Sequence, residues 1–236
     1  MREDNLNRVA VALDTSDWAE FQRWCELFGP RVGTLKVGLE CFCRFGPPAV
    51  EEARRHARRL FLDLKLHDIP TTVARAISAV RDLGADLVTV HAAGGVAMLS
   101  AAVDAAGAGK ILAVTLLTHL DESELAILDL DGPGAVRVCA WARVARNAGC
   151  AGAVCSPLEL EMLRRALPAP FLLVTPGIRP RGSQDDDQRR SATAADALAG
   201  GSDMLVIGRP LTRAADPEKA LAQLELEMAR VDSASS

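Results

Sequence analysis

Residues 60–91 read LFLDLKLHDIPTTVARAISAVRDLGADLVTVH, and this stretch decides the fold. Its two ends, 60–65 and 87–91, are short and mostly apolar runs, whereas the segment 71–83 has apolar residues at three- and four-residue spacing. Such runs are typical of buried β-strands, and such spacing is typical of an amphipathic helix. The stretch therefore predicts a strand, a helix and a second strand parallel to the first.

The same alternation continues along the chain. Segments 18–28, 47–59 and 135–148 also have helical spacing of their apolar residues. Near-continuous apolar strands separated by helices indicate a parallel sheet that is covered on both faces. The strand-like runs number eight: 9–13, 34–38, 60–65, 87–91, 111–117, 151–155, 171–175 and 204–208.

Eight strand–helix units predict an α/β fold closed into a (β/α)8 TIM barrel. A doubly wound open sheet is the alternative, but it usually has fewer strands and often begins with a glycine-rich turn. The first turn here is Leu13-Asp14-Thr15-Ser16-Asp17, which contains no glycine. We therefore expect one barrel domain over residues 1–236, with 232–236 as a frayed tail.

The composition excludes several classes of protein. Apolar residues make up 49% of the 236 residues, enough for a large core, so disorder is not expected. A net charge of −4 argues against a general nucleic-acid binder, although a local cluster of donors could still bind an anion. The six cysteines have neither disulfide nor zinc spacing, and neither a secretory signal nor an apolar run of 18 residues is found. We expect a cytoplasmic protein that does not bind membranes.

Charged residues lie at the predicted carboxyl-terminal strand ends, where barrel enzymes carry out catalysis. Asp63 and Lys65 are two positions apart, so regular strand alternation puts them on one face. Lys36 in strand two and Asp14 after strand one join them. Buried ion pairs are expensive as purely structural devices, because desolvation offsets much of the attraction. The cluster therefore favours a functional site.

A lysine among carboxylates keeps its proton, because opposite charges favour the ammonium form. It would be a poor Schiff-base nucleophile, which needs the neutral amine, but a well-placed proton donor. The carboxylates would repel an anionic group of a substrate, while the lysine would stabilise a developing carbanion. The pattern suits loss of a carboxylate and protonation of the same carbon, with no cofactor.

Glycines and arginines after strands seven and eight predict a phosphate site, since barrels often bind phosphate there. Gly177 and Gly208 allow close approach of the backbone, Arg209 adds a charged fork, and a helix begins near Pro210. The long loop 179–190 is either a solvated surface loop or a lid over this site.

The run Leu62-Asp63-Leu64-Lys65-Leu66-His67-Asp68-Ile69-Pro70-Thr71-Thr72 closely resembles the signature of bacterial orotidine 5′-monophosphate decarboxylases. The resemblance covers nearly the whole chain. It extends to Ala12-Leu13-Asp14, Leu35-Lys36-Val37-Gly38, Thr115-Leu116-Leu117-Thr118, Thr175-Pro176-Gly177-Ile178-Arg179 and Val206-Ile207-Gly208-Arg209-Pro210. It implies a barrel of the ribulose-phosphate-binding type, a nucleotide substrate, no metal and no cofactor.

The resemblance also implies a role for each matching residue. The proton donor to C6 of the pyrimidine would be Lys65, with Asp63 against the substrate carboxyl group and Lys36 as its bridging partner. Asp68 and Thr72 would reach across the interface of a homodimer into the neighbour's site. The remaining substrate contacts would be Asp14 to the ribose, Thr118 near the base, Pro176 in a pocket for carbon dioxide, and Arg179, Gln188, Gly208 and Arg209 to the phosphate.

Two other functions stay open at this point. Metal-dependent sugar-phosphate decarboxylases and aldolases of the same barrel superfamily share an Asp-x-Lys-x-x-Asp motif, but they have an acidic metal ligand where this chain has Lys36. A phosphate-binding barrel without catalytic activity would be expected to lack one of the strand-end charges. We expect His91 to be structural and His67 to support its loop.

Overall fold

A computed structural model describes residues 5–130, 132–180 and 191–234 of the chain. Eight parallel strands form a closed barrel in sequence order, so the predicted (β/α)8 TIM barrel is confirmed. The strands are β1 (Val9–Ala12), β2 (Thr34–Gly38), β3 (Leu60–Leu66), β4 (Leu87–His91), β5 (Ile111–Val114), β6 (Gly152–Val154), β7 (Leu172–Thr175) and β8 (Met204–Ile207).

Helices surround this barrel. Within the described ranges they are α1 (Trp18–Phe28), α2 (Leu39–Phe45), α3 (Pro47–His56), α4 (Pro70–Asp82), α5 (Gly95–Ala106), α6 (Glu122–Ile127), α7 (Gly134–Asn147), α8 (Leu160–Ala166), α9 (Ala194–Ala199), α10 (Arg209–Thr212) and α11 (Pro217–Ala234). No helix in those ranges is both long enough and apolar enough to cross a bilayer.

Apolar side chains are buried on both faces of the strands. All five residues of β2 and all four of β1 are buried, which explains why the strands read as continuous apolar runs. The large cluster lies between sheet and helices. A second, small cluster is formed by residues of six different strands, namely Ala10, Phe61, Leu87, Leu112, Val174 and Met204. The barrel is therefore a packed core whose side chains leave room for ligands only at an end.

The predicted element bounds differ little from the observed ones. Helix α1 begins and ends as predicted, and the Asp17 side chain caps it by accepting a hydrogen bond from the Glu20 amide. Strand β5 ends at Val114, three residues before the predicted end, and Leu116 and Leu117 line a cavity instead. The frayed tail, 232–236, stays a prediction: α11 reaches Ala234, and 235–236 lie outside the described residues.

Candidate active site

A cavity of about 530 Å³ opens at the carboxyl-terminal end of the barrel strands. Its volume lies in the range of small-molecule sites, roughly 300–1,000 Å³. Apolar side chains from the strands form part of its lining: Ala12, Phe61, Val114, Val154 and Val206. Nine of the twelve predicted site residues also line it: Asp14, Lys36, Asp63, Lys65, Thr118, Pro176, Arg179, Gly208 and Arg209.

Four charged side chains of alternating sign form a row in this cavity, from β1 across β2 to the end of β3. The Lys36 Nζ lies 3.5 Å from Asp14 Oδ1 and 3.2 Å from Asp63 Oδ2. The Lys65 Nζ lies 2.7 Å from the same Asp63 oxygen. The row therefore runs Asp14–Lys36–Asp63–Lys65, as the strand-end charges predict.

Exposure varies along the row. The side chains of Lys36 and Asp63 are 6% and 14% exposed, whereas Lys65 is 29% exposed and Asp14 is 46% exposed. All four line the cavity, but the inner two are held more closely by the protein and the outer two are more open to a ligand.

The inner pair keeps its charges despite this burial. Desolvation by burial would raise the pKa of the Asp63 carboxyl, but the ammonium groups of Lys36 and Lys65 outweigh it and hold the pKa at about 2. Burial would likewise lower the pKa of Lys36, but Asp63 and Asp14 raise it above its usual value. At neutral pH the site therefore holds a carboxylate between two cations.

The backbone around Lys65 departs from a regular strand. Leu62 of β3 pairs with Val88 of β4, and Leu66 pairs with Val90. Between these two pairs β3 therefore advances by four residues while β4 advances by only two. Lys65 itself has a φ of +49°, in the left-handed region that a side chain other than glycine rarely adopts. The prediction of regular alternation was therefore wrong here, although its consequence is right, because the irregular backbone still brings Lys65 to Asp63.

Thr89 is a member of this network that the sequence interpretation missed. It is fully buried in the middle of β4. Its hydroxyl donates to Asp63 Oδ1 at 2.9 Å and accepts from the Lys65 amide at 2.9 Å. The available signal was a threonine between apolar residues, facing the same way as Leu87 and His91 in an alternating strand.

The loops after β7 and β8 lie on the other side of the cavity. The Arg179 amide donates to the Ala192 carbonyl, and the Ala192 amide donates to the Gly177 carbonyl. These bonds hold the two ends of the long loop together beside Gly208 and Arg209. Most of that loop, including the predicted phosphate ligand Gln188, lies outside the described residues.

Two predicted site residues, Asp68 and Thr72, do not line the cavity of their own barrel. Both are exposed where β3 leads into α4. Asp68 Oδ1 accepts a hydrogen bond from the Ile69 amide at 2.6 Å, which fixes the turn. Both therefore lie outside the cavity of their own barrel, and their predicted role in a neighbouring one stays a prediction.

His67 and His91 form a pair at the ends of β3 and β4, with ring centroids 5.3 Å apart. Burial, His67 and Lys65 lower the pKa of His91, so its ring is neutral at neutral pH. His67 is exposed. The packing fits the structural role expected of His91.

Fold and cavity together define a (β/α)8-barrel protein with a charged ligand site at the carboxyl-terminal end of its strands. The model of the Orotidine 5'-phosphate decarboxylase / HUMPS family matches residues 7–224, and the chain belongs to this family.

Named relatives cover nearly the full chain. An orotidine 5'-phosphate decarboxylase of Thermobifida fusca is 50% identical over 97% of this chain and 98% of its own length. One from an Anaeromyxobacter species is 49% identical over 90% of this chain and 94% of its own. The crystal structure of an orotidine 5'-phosphate decarboxylase from Lactobacillus acidophilus is 36% identical, covers 93% of this chain and 98% of its own, and superposes with a TM-score of 0.80.

Proposed function

We propose that the chain decarboxylates orotidine 5′-monophosphate to uridine 5′-monophosphate in pyrimidine biosynthesis. The observation that carries this proposal is the contact of 2.7 Å between the Lys65 ammonium and Asp63 inside the barrel cavity. Named relatives of the same length, at up to 50% identity, support the same reaction.

The reaction consumes one proton and releases carbon dioxide. The bond between C6 and the carboxyl carbon breaks, and its electron pair remains on C6. The Lys65 ammonium then protonates C6, and solvent returns the proton to the lysine. At an effective dielectric of about 20, unit charges about 4 Å apart interact by about 4 kcal/mol. Because about 1.36 kcal/mol changes a rate tenfold, the ammonium beside the developing carbanion supplies a large factor.

Asp63 has two effects in this scheme. Its carboxylate holds the Lys65 ammonium at 2.7 Å, and it faces the carboxylate of the bound substrate, where repulsion between like charges favours departure of carbon dioxide. Because the pKa of Asp63 is about 2, its carboxyl group is ionised at neutral pH. Lys36 holds Asp63 in place from the other side.

The remaining lining residues bind the nucleotide. Asp14, the exposed end of the charged row, accepts from a ribose hydroxyl. The phosphate binds to Arg179, Arg209 and the backbone at Gly208, and the resemblance to the family adds Gln188 as a further ligand, which lies outside the described residues. Thr118 contacts the base, and Pro176 lines the pocket into which carbon dioxide leaves.

The reaction needs no metal ion and no cofactor in this proposal. The Lys36 ammonium stands between Asp14 and Asp63, at 3.5 Å and 3.2 Å from their oxygens. In a metal-dependent relative, acidic side chains at this place would hold a divalent cation, which needs oxygen ligands. A fixed positive charge among the same carboxylates opposes such a cation.

The functional unit is a homodimer with shared sites. Asp68 and Thr72 are exposed and do not line the cavity of their own barrel. Leu39, Ile69 and Val96, which follow three neighbouring strands at one rim of the barrel, are 49%, 67% and 58% exposed. Exposed apolar side chains rimmed by polar ones are typical of an interaction surface. A second copy on this rim buries them and receives Asp68 and Thr72.

A cytoplasmic location is part of the same proposal. Cys25, Cys41, Cys150 and Cys155 are buried, and burial raises the pKa of Cys150 to about 12, so these thiols are unreactive core groups. Buried free thiols are typical of proteins from reducing compartments.

The test is a direct assay of the purified protein with orotidine 5′-monophosphate, followed by its loss of absorbance, with and without excess chelator. We expect equal turnover in both samples. Lys65→Ala should reduce turnover by at least about a thousandfold, with an unchanged circular dichroism spectrum. Chelator-sensitive turnover would favour the metal-dependent alternative, and wild-type-like turnover of Lys65→Ala would refute the mechanism.

A further inference from the structure

A single buried hydroxyl connects the Asp63 carboxylate with the backbone of Lys65, the two catalytic residues of β3. The Thr89 Oγ1 donates to Asp63 Oδ1 and accepts from the backbone amide of Lys65, both at 2.9 Å. Thr89 is fully buried and does not line the cavity, so it cannot touch a ligand there. Thr89 therefore acts on the site only through its bonds to these two neighbours.

The first bond sets the orientation of the Asp63 carboxylate. Oδ2 faces the ammonium groups of Lys36 and Lys65, while Oδ1 is occupied by Thr89. A carboxylate with only one bonded oxygen can rotate about its χ2, which is a broad torsion. With Thr89 on the opposite oxygen, Oδ2 stays between the two cations, and the position of the Lys65 ammonium is fixed with it.

The second bond supports an unusual backbone. Lys65 has a φ of +49° and lies where the pairing of β3 with β4 shifts. Such conformations persist only where their surroundings hold them, and they are common at active sites. The Lys65 amide has left the regular ladder at this shift, and the Thr89 hydroxyl replaces its ladder partner.

We propose that Thr89 is a positioning residue, whose hydroxyl sets the Lys65 ammonium and the Asp63 carboxylate in their reactive arrangement. This inference rests on the proposed function, because the arrangement matters through proton donation by Lys65. The donor and acceptor functions of the hydroxyl are both needed, so a side chain of the same shape without it cannot replace threonine.

The test is Thr89→Val, which keeps the shape and removes the hydroxyl. We expect kcat to fall by about a hundredfold, since small misplacements of reacting groups have effects of that size. KM should change little, because the nucleotide contacts lie elsewhere. Thr89→Ser retains the hydroxyl and should recover most of the lost rate. The Lys65 amide should exchange its hydrogen faster in Thr89→Val than in Thr89→Ser.

The matched control is Thr34→Val in β2. Thr34 is also a fully buried threonine of a barrel strand, but its hydroxyl has no hydrogen-bond partner among the described residues. This variant should keep wild-type kcat and KM. An equal loss in both valine variants would mean a general packing effect and would overturn the inference, as would wild-type kcat in Thr89→Val.

A crystal structure of ligand-free Thr89→Val separates this inference from the proposed function. We expect a rotated Asp63 carboxylate and a Lys65 Nζ displaced from its position 2.7 Å from Asp63. An unchanged pair would overturn the inference even if the wild-type protein decarboxylates the nucleotide. A wild-type protein without this activity would refute the proposed function, while the displaced pair would still support Thr89 as the residue that positions it.

Discussion

Asp63 is bound on both of its carboxylate oxygens, by Lys36 and Lys65 on Oδ2 and by Thr89 on Oδ1. A buried carboxylate with this many donors is stabilised in its charged form. The pKa of Asp63 is accordingly about 2, below its usual value of 3.8. The carboxylate therefore contributes to folding stability as well as to the site, and this contribution depends on pH.

We expect Asp63→Asn to lower the free energy of unfolding at pH 7 by about 3 kcal/mol, because two cations lose their shared partner. Urea denaturation measures this free energy. A lowered pKa gives stability that is present above the unfolded pKa of 3.8 and is lost as pH falls toward the folded pKa of about 2. Asparagine does not titrate, so the difference in free energy of unfolding between Asp63→Asn and wild type should be about 1 kcal/mol smaller at pH 3 than at pH 7.

The control for this prediction is Asp82→Asn. Asp82 forms an exposed ion pair with Arg81, and its side chain is 68% exposed. Exposed ion pairs contribute at most about 1 kcal/mol to stability, so the free energy of unfolding of Asp82→Asn should stay close to that of wild type at both pH values. A difference between Asp63→Asn and wild type that stays constant from pH 7 to pH 3 would contradict the assignment of a lowered pKa.

Strand β2 ends in a glycine because the side chains of Asp14 and Lys36 leave no room for a Cβ there. A Cβ on Gly38 would lie 2.4 Å from Asp14 Oδ1 and 3.0 Å from Lys36 Nζ. The φ of Gly38 is −94°, which any residue can adopt, so the requirement is space and not backbone freedom. The atoms in the way are the ends of two side chains of the charged row.

Gly38→Ala should therefore damage the site more than the fold. We expect kcat/KM to fall about tenfold or more, since Asp14 and Lys36 must move, while the melting temperature changes little. Gly152→Ala is the contrasting variant, because its Cβ would meet the backbone oxygen of Leu172 at 2.3 Å. It should lower the melting temperature clearly. Wild-type kinetics in Gly38→Ala would contradict the positions of Asp14 and Lys36.

The elements follow from the sequence where local patterns decide them. The helix Trp18–Phe28 has clear apolar spacing and an aspartate cap at Asp17, and it was predicted to the residue. The irregular end of β3 could not be predicted in this way, because strand alternation assumes a regular ladder. There the backbone of Lys65 is held by Thr89, a tertiary contact from another strand that no local pattern contains.

At the scale of the whole molecule, barrel closure brings together residues that are far apart in the chain. Asp14 after β1 and Arg209 after β8 line the same cavity, since parallel strands place all their carboxyl ends at one end of the barrel. The assignment of eight strands, and of the residues at their carboxyl-terminal ends, therefore predicted most of the side chains that line the cavity. Asp68 and Thr72 are the exception, because they lie outside this cavity and serve a second copy of the chain only in the proposed homodimer.

In the proposed homodimer, the two ends of the segment from Asp63 to Asp68 belong to different active sites. Lys65 lines the cavity of its own barrel, whereas Asp68 is exposed outside it. In a symmetric homodimer each site then contains Lys65 of one protomer and Asp68 of its partner. A protomer that carries Lys65→Ala can therefore still contribute its Asp68 to the active site of its partner.

The most direct measurement is the activity of mixed dimers formed from Lys65→Ala and Asp68→Ala protomers, each nearly inactive alone. Random exchange makes half of the dimers mixed, and each mixed dimer has one intact site, so about a quarter of wild-type activity should return. Native mass spectrometry confirms that exchange has occurred. Confirmed mixed dimers without recovered decarboxylation of orotidine 5′-monophosphate would contradict the account.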